Sequence, residues 1–235
     1  MRSLGTYIFG AVWTVFALSL LVVNTPAQHV VDKTIAVVRD ATRSELITYS
    51  DLLWYLALQP GIPIDPPRSE DLNVALQGVI NERLFALEAK RLPGAPPTSK
   101  EFADYLNEDV ISRFHSPAEF EARLRQVGFT SIKDEGFEKL LAERLAIKKY
   151  IDFRFGSFVV VTPDEVLQNY RGEWSTNFRK RSPGLLLPAF EEVRGQIEAQ
   201  LREDKKLGKQ EAFLDEAKTR DEIEILAKPE PLPRS

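Results

Sequence analysis

The residues that most often carry proton transfer, covalent attack and metal ligation are scarce in this chain. It has two histidines, His29 and His115, and no cysteine. Thiol nucleophiles and thiolate metal sites are therefore excluded. A metal centre needs several ligands at set spacing, and neither histidine has such company. The carboxylates recur with Lys and Arg at helical spacing, as in Glu198–Asp204 followed by Lys205 and Lys206, the pattern of solvated helix faces. Thr98, Ser116 and Thr162 stand at helix starts, where capping explains them, and no nucleophile–base arrangement is visible. There is no Gly-rich phosphate loop. No catalytic residue, metal, cofactor or small-molecule substrate is expected. The net charge of −4, without a basic stripe, also argues against a nucleic-acid partner.

Binding through apolar surface is the chemistry that remains. The candidates are Trp54, Tyr55 and Leu56, then Phe102, Tyr105 and Phe114, then Phe120. A groove of such side chains, rimmed by polar groups, can hold an extended polypeptide. The competing reading is core packing, the commoner fate of aromatics at helical spacing. Trp174 and Phe178 fall in a stretch read as a linker, Gly172–Leu187, and are expected to pack over it.

Elements that could position these residues follow from pattern. Thr34–Val38 (T-I-A-V-V) reads as a short strand, and Glu45–Thr48 as its return. Ser50-Asp51 opens a helix to Leu58, which Gln59-Pro60-Gly61 stops. Pro60–Pro67 is a proline-rich loop, read as mobile. Leu72, Leu76, Val79, Ile80, Leu84 and Leu87 mark an amphipathic helix over Leu72–Leu92. Thr98-Ser-Lys-Glu101 fits a capping box, and Ser116-Pro117 starts a further helix with Pro at its first position. Ile132–Phe155 is a long helix, Phe158–Val161 an extended link, and Thr162-Pro163-Asp164-Glu165 a third start signal for a helix to about Tyr170. Phe190, Val193, Ile197 and Leu201 mark the last helix, and Ile223–Leu226 a terminal strand. Neither end strand is stable alone, so Ile35–Val38 is expected to pair with Ile223–Leu226. The fold class expected is mainly α, a multi-helix body with a small β-sheet joining the N- and C-terminal strands. Its domain is 28–227, with a disordered tail at 228–235.

Residues 1–27 read as a secretory signal. Arg2 precedes an apolar run, Tyr7–Val23, and Thr25-Pro26-Ala27 offers a cleavage point after Ala27. An uncleaved inner-membrane anchor is the alternative, the run being at the short edge of a bilayer span. No cysteine follows the run, so lipoprotein attachment is excluded.

The order of several motifs then becomes informative: Asp32-Lys-Thr-Ile-Ala-Val-Val38, Ile47-Thr-Tyr-Ser-Asp-Leu52, Val79-Ile-Asn-Glu-Arg-Leu84, Thr162–Glu165, and Phe190-Glu-Glu-Val-Arg194. Together they resemble the SurA family of periplasmic folding factors, that is, the SurA N-terminal or trigger-factor C-terminal-like peptide-binding domain. The resemblance covers most of residues 32–227. In most relatives a parvulin prolyl isomerase domain sits between the Thr-Pro-Asp-Glu helix and the Phe-Glu-Glu-Val-Arg helix. Here only Gly172–Leu187 occupies that place, and a folded domain needs about 50 residues or more. The resemblance therefore implies the chaperone part alone: an ATP-independent holdase of the periplasm, not an enzyme. Its partners would be unfolded or extended polypeptides, outer-membrane protein precursors foremost. A dedicated envelope adaptor, or a peptidyl-prolyl isomerase with a degenerate site, are the alternatives.

Overall fold

The computed structural model describes residues 32–91 and 96–232, all within the compact unit Asp32–Ser235. The signal or anchor expected at 1–27, His29, the Leu92–Ala95 helix end and the last three residues of the tail lie outside the described residues. The fold is mainly helical with one small antiparallel sheet.

The sheet has the order β2-β1-β3. Strand β1 (Thr34–Arg39) is apolar and β-branched, and Ile35–Val38 are buried. It turns at Asp40, whose Oδ1 accepts from the backbone N–H groups of Thr42 and Arg43 at 2.7 Å each, into β2 (Ser44–Thr48). On its other edge it pairs with β3 (Glu222–Ile225), in the register Val38↔Ile223 and Ala36↔Ile225. The N–H groups of Leu226 and Ala227 extend the ladder by donating to the Ile35 carbonyl. The end-to-end pairing expected from sequence is thus present. Arg39 reinforces it from β1, reaching Glu224 at 2.9 Å and Glu222 at 3.4 Å.

Helix α1 (Tyr49–Ala57) starts earlier than expected. Thr48, not Ser50, is the cap, in a reciprocal box with Asp51. Helix α2 (Ser69–Ala89) buries the expected stripe from Leu72 to Leu87 against α1, the sheet and Ala217. The Pro60–Pro67 loop between them, read as mobile, makes contacts with the body. Ile64 is buried, and Arg123 donates to the carbonyls of Leu56, Ala57, Gln59 and Ile62 at 2.8–3.0 Å. A loop that cannot form helix leaves its carbonyls unpaired, and one guanidinium, with its fork of donors, satisfies that of Ile62 together with three at and just beyond the end of α1.

Helix α3 (Ser99–Asp104) runs on through a π turn (Tyr105–Val110) and a 3-10 turn (Ile111–Arg113). Helix α4 (Pro117–Gln126) and helix α5 (Glu135–Ile151, continued by a π turn at Asp152–Gly156) follow. Between them lies a second core in which Phe114, Phe120, Phe137, Phe129 and Trp54 form a chain of rings 5.0–5.8 Å apart. Helix α6 (Pro163–Asn169), a π turn (Tyr170–Trp174) and helix α7 (Ser175–Arg181) form one uninterrupted rod. The stretch Gly172–Leu187 is therefore helical as far as Arg181, and only Ser182–Ala189 is loop. The π turn shifts the helical period at Tyr170, which is why the stripe read as ending there. Helix α8 (Phe190–Arg220) returns along α6 over Val166, Val193 and Ile197, and farther on its Phe213 joins Phe85, Tyr150 and Phe155. Beyond β3, Lys228–Leu232 has no regular structure, yet Pro229 is buried, so this part of the expected disordered tail lies on the body. Among the described residues no helix is long and apolar enough to cross a membrane.

Two capping boxes also tie helices together. Glu101 closes the box at Thr98 and accepts from Lys149 of α5 at 2.7 Å. Glu165 closes the box at Thr162 and accepts from Lys205 of α8 at 2.6 Å. The lysine in each case, helped by the threonine backbone N–H, holds the carboxyl at about 2, against an ordinary 4.5. A carboxyl depressed in the folded state stabilises above its unfolded pKa and loses that contribution as pH falls. The urea midpoint should therefore drop between pH 4.5 and about 2, and Glu101→Gln with Glu165→Gln should flatten that drop. An unchanged slope in the double variant would refute it. Arg123→Met should cost about 3 kcal/mol of unfolding free energy through the carbonyls it strands, read by urea denaturation.

Candidate peptide-binding cleft

The seven candidate residues divide by burial. Leu56, Phe114 and Phe120 are buried in the cores. Trp54 and Phe102 pack against the second core, and the Trp54 indole donates to the Val127 carbonyl at 3.2 Å. These five serve the fold. Tyr55 and Tyr105 alone come together at a concave surface. They line a cleft of ≈ 460 Å³ enclosed by α2, the π turn after α3, the end of α5 and the middle of α8.

Tyr55 reaches the cleft because position 78 is glycine. A Cβ on Gly78 would occupy the space of the Tyr55 ring, so the ring fits only because α2 has no side chain there. The Arg144 guanidinium covers its other side, 5.4 Å from the ring centre. Arg144 in turn holds Glu82 at 2.9 Å, and Arg83, the residue after Glu82, holds Asp51 at 3.0 Å. Burial pushes the Glu82 carboxyl up, and Arg144 and Arg83 oppose that. Burial likewise raises the hydroxyls of Tyr55 and Tyr105, which stay neutral donors. Asn81 Oδ1 and Arg144 Nε, both on residues of the cleft wall, are buried without a partner. At the mouth, Asp152 accepts from Lys206 of α8 at 2.8 Å and from Lys148 at 3.0 Å. The apolar lining comes from Phe85, Ile147, Ile151, Leu207 and Leu214.

A second concavity, ≈ 520 Å³, lies on the other flank of α8, between Phe158–Val160 and Lys205, Gly208, Lys209 and Ala212. Sequence reasoning gave this segment no role beyond a link. Phe158 is 68% exposed and Val160 71%, while Phe153, on the π turn just before, is 60% exposed. Lys205 and Lys209 donate to the carbonyls of Val160 and Phe158 at 2.8 and 3.3 Å, fixing the strand-like segment against α8. The signal in the sequence was an apolar run, F-V-V-V, of neither helical nor alternating period.

Trp174 and Phe178 are half-buried. Their rings stack at 5.3 Å, Tyr170 stacks on Trp174 at 5.7 Å, and Tyr170 and Trp174 pack on the Val166–Val193–Ile197 core. His115 is exposed at the start of α4 with its Nδ1 3.2 Å from Glu119. Among the described residues no three His, Asp or Glu side chains gather as a metal site would require. The chemistry these surfaces offer is apolar contact, aromatic contact and amide-type hydrogen bonding, with charges of both signs at the rim.

The Arg144–Glu82 contact is partly buried. Arg144→Met should therefore cost roughly 2 kcal/mol, less than the 3–5 of a fully buried pair. Adding Glu82→Leu should recover most of it, since no charge is then left unpaired. Urea unfolding of the single and double variants checks this, and a double variant no more stable than the single one would refute it. Comparison of the chain with protein-family models, curated proteins and solved structures finds no match.

Proposed function

We propose that this chain is an ATP-independent chaperone of the periplasm, a holdase for unfolded envelope proteins and above all outer-membrane protein precursors. The observation that carries the reading is the apolar surface flanking the middle of α8. Phe153, Phe158 and Val160 are exposed on one side, Tyr55 and Tyr105 line the cleft on the other, and ion pairs such as Lys206–Asp152 rim it. Soluble proteins seldom leave such surface uncovered without a partner. Mixed charge around it favours no one client sequence, as a general holdase requires. The motif order that resembles SurA-type chaperones supports the same reading. Isomerase activity is not expected, because the short stretch between α6 and α8 leaves no place for the catalytic domain.

Residues 28–235, titrated against an unfolded outer-membrane barrel protein, should suppress its light scattering and saturate near equimolar ratio. Unchanged scattering at excess would sink the general holdase reading, and one tight partner recovered instead would favour a dedicated adaptor. Phe158→Ser with Val160→Ser should weaken client binding roughly tenfold, through lost apolar burial, with no change in the thermal midpoint.

A further inference from the structure

The α7–α8 turn stands apart from the surfaces above. Helix α7 makes its substantial contacts only with the π turn before it. Phe190, the first residue of α8, packs beside Tyr170 at 5.3 Å, so α7 runs on past the start of its neighbour. The connection Ser182–Ala189 (S-P-G-L-L-L-P-A) folds back from that projecting end.

This connection is fixed in place. Leu185 N–H donates to the Ser182 carbonyl at 3.2 Å, with Pro183 and Gly184 between them and Gly184 at φ 87°. Proline then glycine at positive φ is the pattern of a type II turn. At the far end the Tyr170 hydroxyl donates to the Pro188 carbonyl at 2.7 Å. Held at both ends, the loop nonetheless turns its leucines outward: Leu185 is 68% and Leu186 93% exposed, the highest value for any large apolar side chain described. A single exposed leucine needs no explanation. Adjacent ones on a rigid turn do.

Arg179, Lys180 and Arg181 directly precede the turn, and all are exposed. Cations at a helix end complement its dipole, and these three have no carboxylate partner among the described residues. Arg194, Arg202, Lys205, Lys206 and Arg220 on α8 each contact a carboxylate. Arg171, Arg179 and Lys180 form no ion pair among the described residues, and Arg181 reaches only the Asn177 carbonyl. From Arg171 to Ala189 there are four cations against one anion, a local +3 on a chain whose net charge is −4.

We propose that this tip is a membrane-docking site, seating Leu185 and Leu186 among the headgroups of an anionic bilayer while Arg179–Arg181 contact the phosphates. An extended polypeptide is bound in a groove or at a sheet edge, and the tip is convex. A lipid surface accepts a protruding apolar knob and rewards unpaired cations beside it. An acidic body would be repelled from such a surface without a local cluster of this kind, so attachment is confined to this end and orients the molecule. The inference is independent of the holdase reading.

The test is flotation of residues 32–235 with vesicles. This span contains all four apolar cores and the whole sheet, so it folds on its own, and it leaves out the apolar Tyr7–Val23 run. Vesicles of phosphatidylcholine with roughly one-quarter phosphatidylglycerol should carry the protein at low salt, and pure phosphatidylcholine should not. Binding should weaken with salt and fall about fivefold for each of Arg179, Lys180 and Arg181 changed to Gln. Leu185→Asp with Leu186→Asp should abolish it. Arg43→Gln with Lys133→Gln and Lys139→Gln, cations elsewhere on the surface, should leave it intact. No flotation, equal flotation with neutral vesicles, or equal loss in the distant triple variant would overturn the proposal. So would tip variants that bind vesicles normally but lose capture of an unfolded barrel protein, an outcome that would make the tip a polypeptide site.

Discussion

The fold depends on a contact between residues almost two hundred positions apart, the antiparallel pairing of β1 with β3. Two strands in water are marginal, and β2 adds only a hairpin to them. The pairing persists because Ile35, Val38 and Ile47 are covered by α1 and α2. The same constraint places α8, because β3 follows it directly, and Ala217 on its last turns enters the sheet-side core. With that end fixed, the remaining turns of α8 run past the mouth of the cleft and back along α6. Both concave surfaces use α8 as a wall, so the geometry of each is set at the sheet.

Polar groups specify the rest of the arrangement. Arg123 ties the Ile62 carbonyl of the proline-rich loop to those at the end of α1. Glu101 and Glu165 each close a cap and accept from a lysine of a second helix. Such contacts are modest singly, but each joins elements that apolar packing alone would leave free to slide. The cleft itself is lined by a stacked Tyr55 and Arg144 over Gly78, an arrangement that needs a helix without a side chain at that point.

What could be read in the sequence was local. The caps at Thr98, Ser116 and Thr162, the α2 stripe and the two end strands follow from neighbouring residues, and they are where expected. Arg123 was not legible, since its partners are more than sixty residues away and a lone arginine looks like surface. The aromatic candidates were found by type, but type does not separate ring-on-ring core contacts such as Phe114–Phe120 from a lining residue such as Tyr55. That distinction depends on Gly78, on a different helix. The linker was misjudged at Tyr170 because one π turn displaces the stripe, although Tyr170, Trp174 and Phe178 at steps of four carried the helix onward.

Each of the three π turns accommodates a residue beyond what a regular helix of that length would hold. At Tyr105–Val110, Asp152–Gly156 and Tyr170–Trp174 the extra residue rotates everything downstream by about a quarter turn relative to what precedes it. One rod can then keep its apolar side on the same core across the turn, without a break in the backbone. Phe102 and Phe114 flank the first of these turns and share one core, Tyr150 and Phe155 share another, and Val166 and Trp174 a third. These turns act as gears within a packing centre, re-timing a helix so that its apolar face stays engaged.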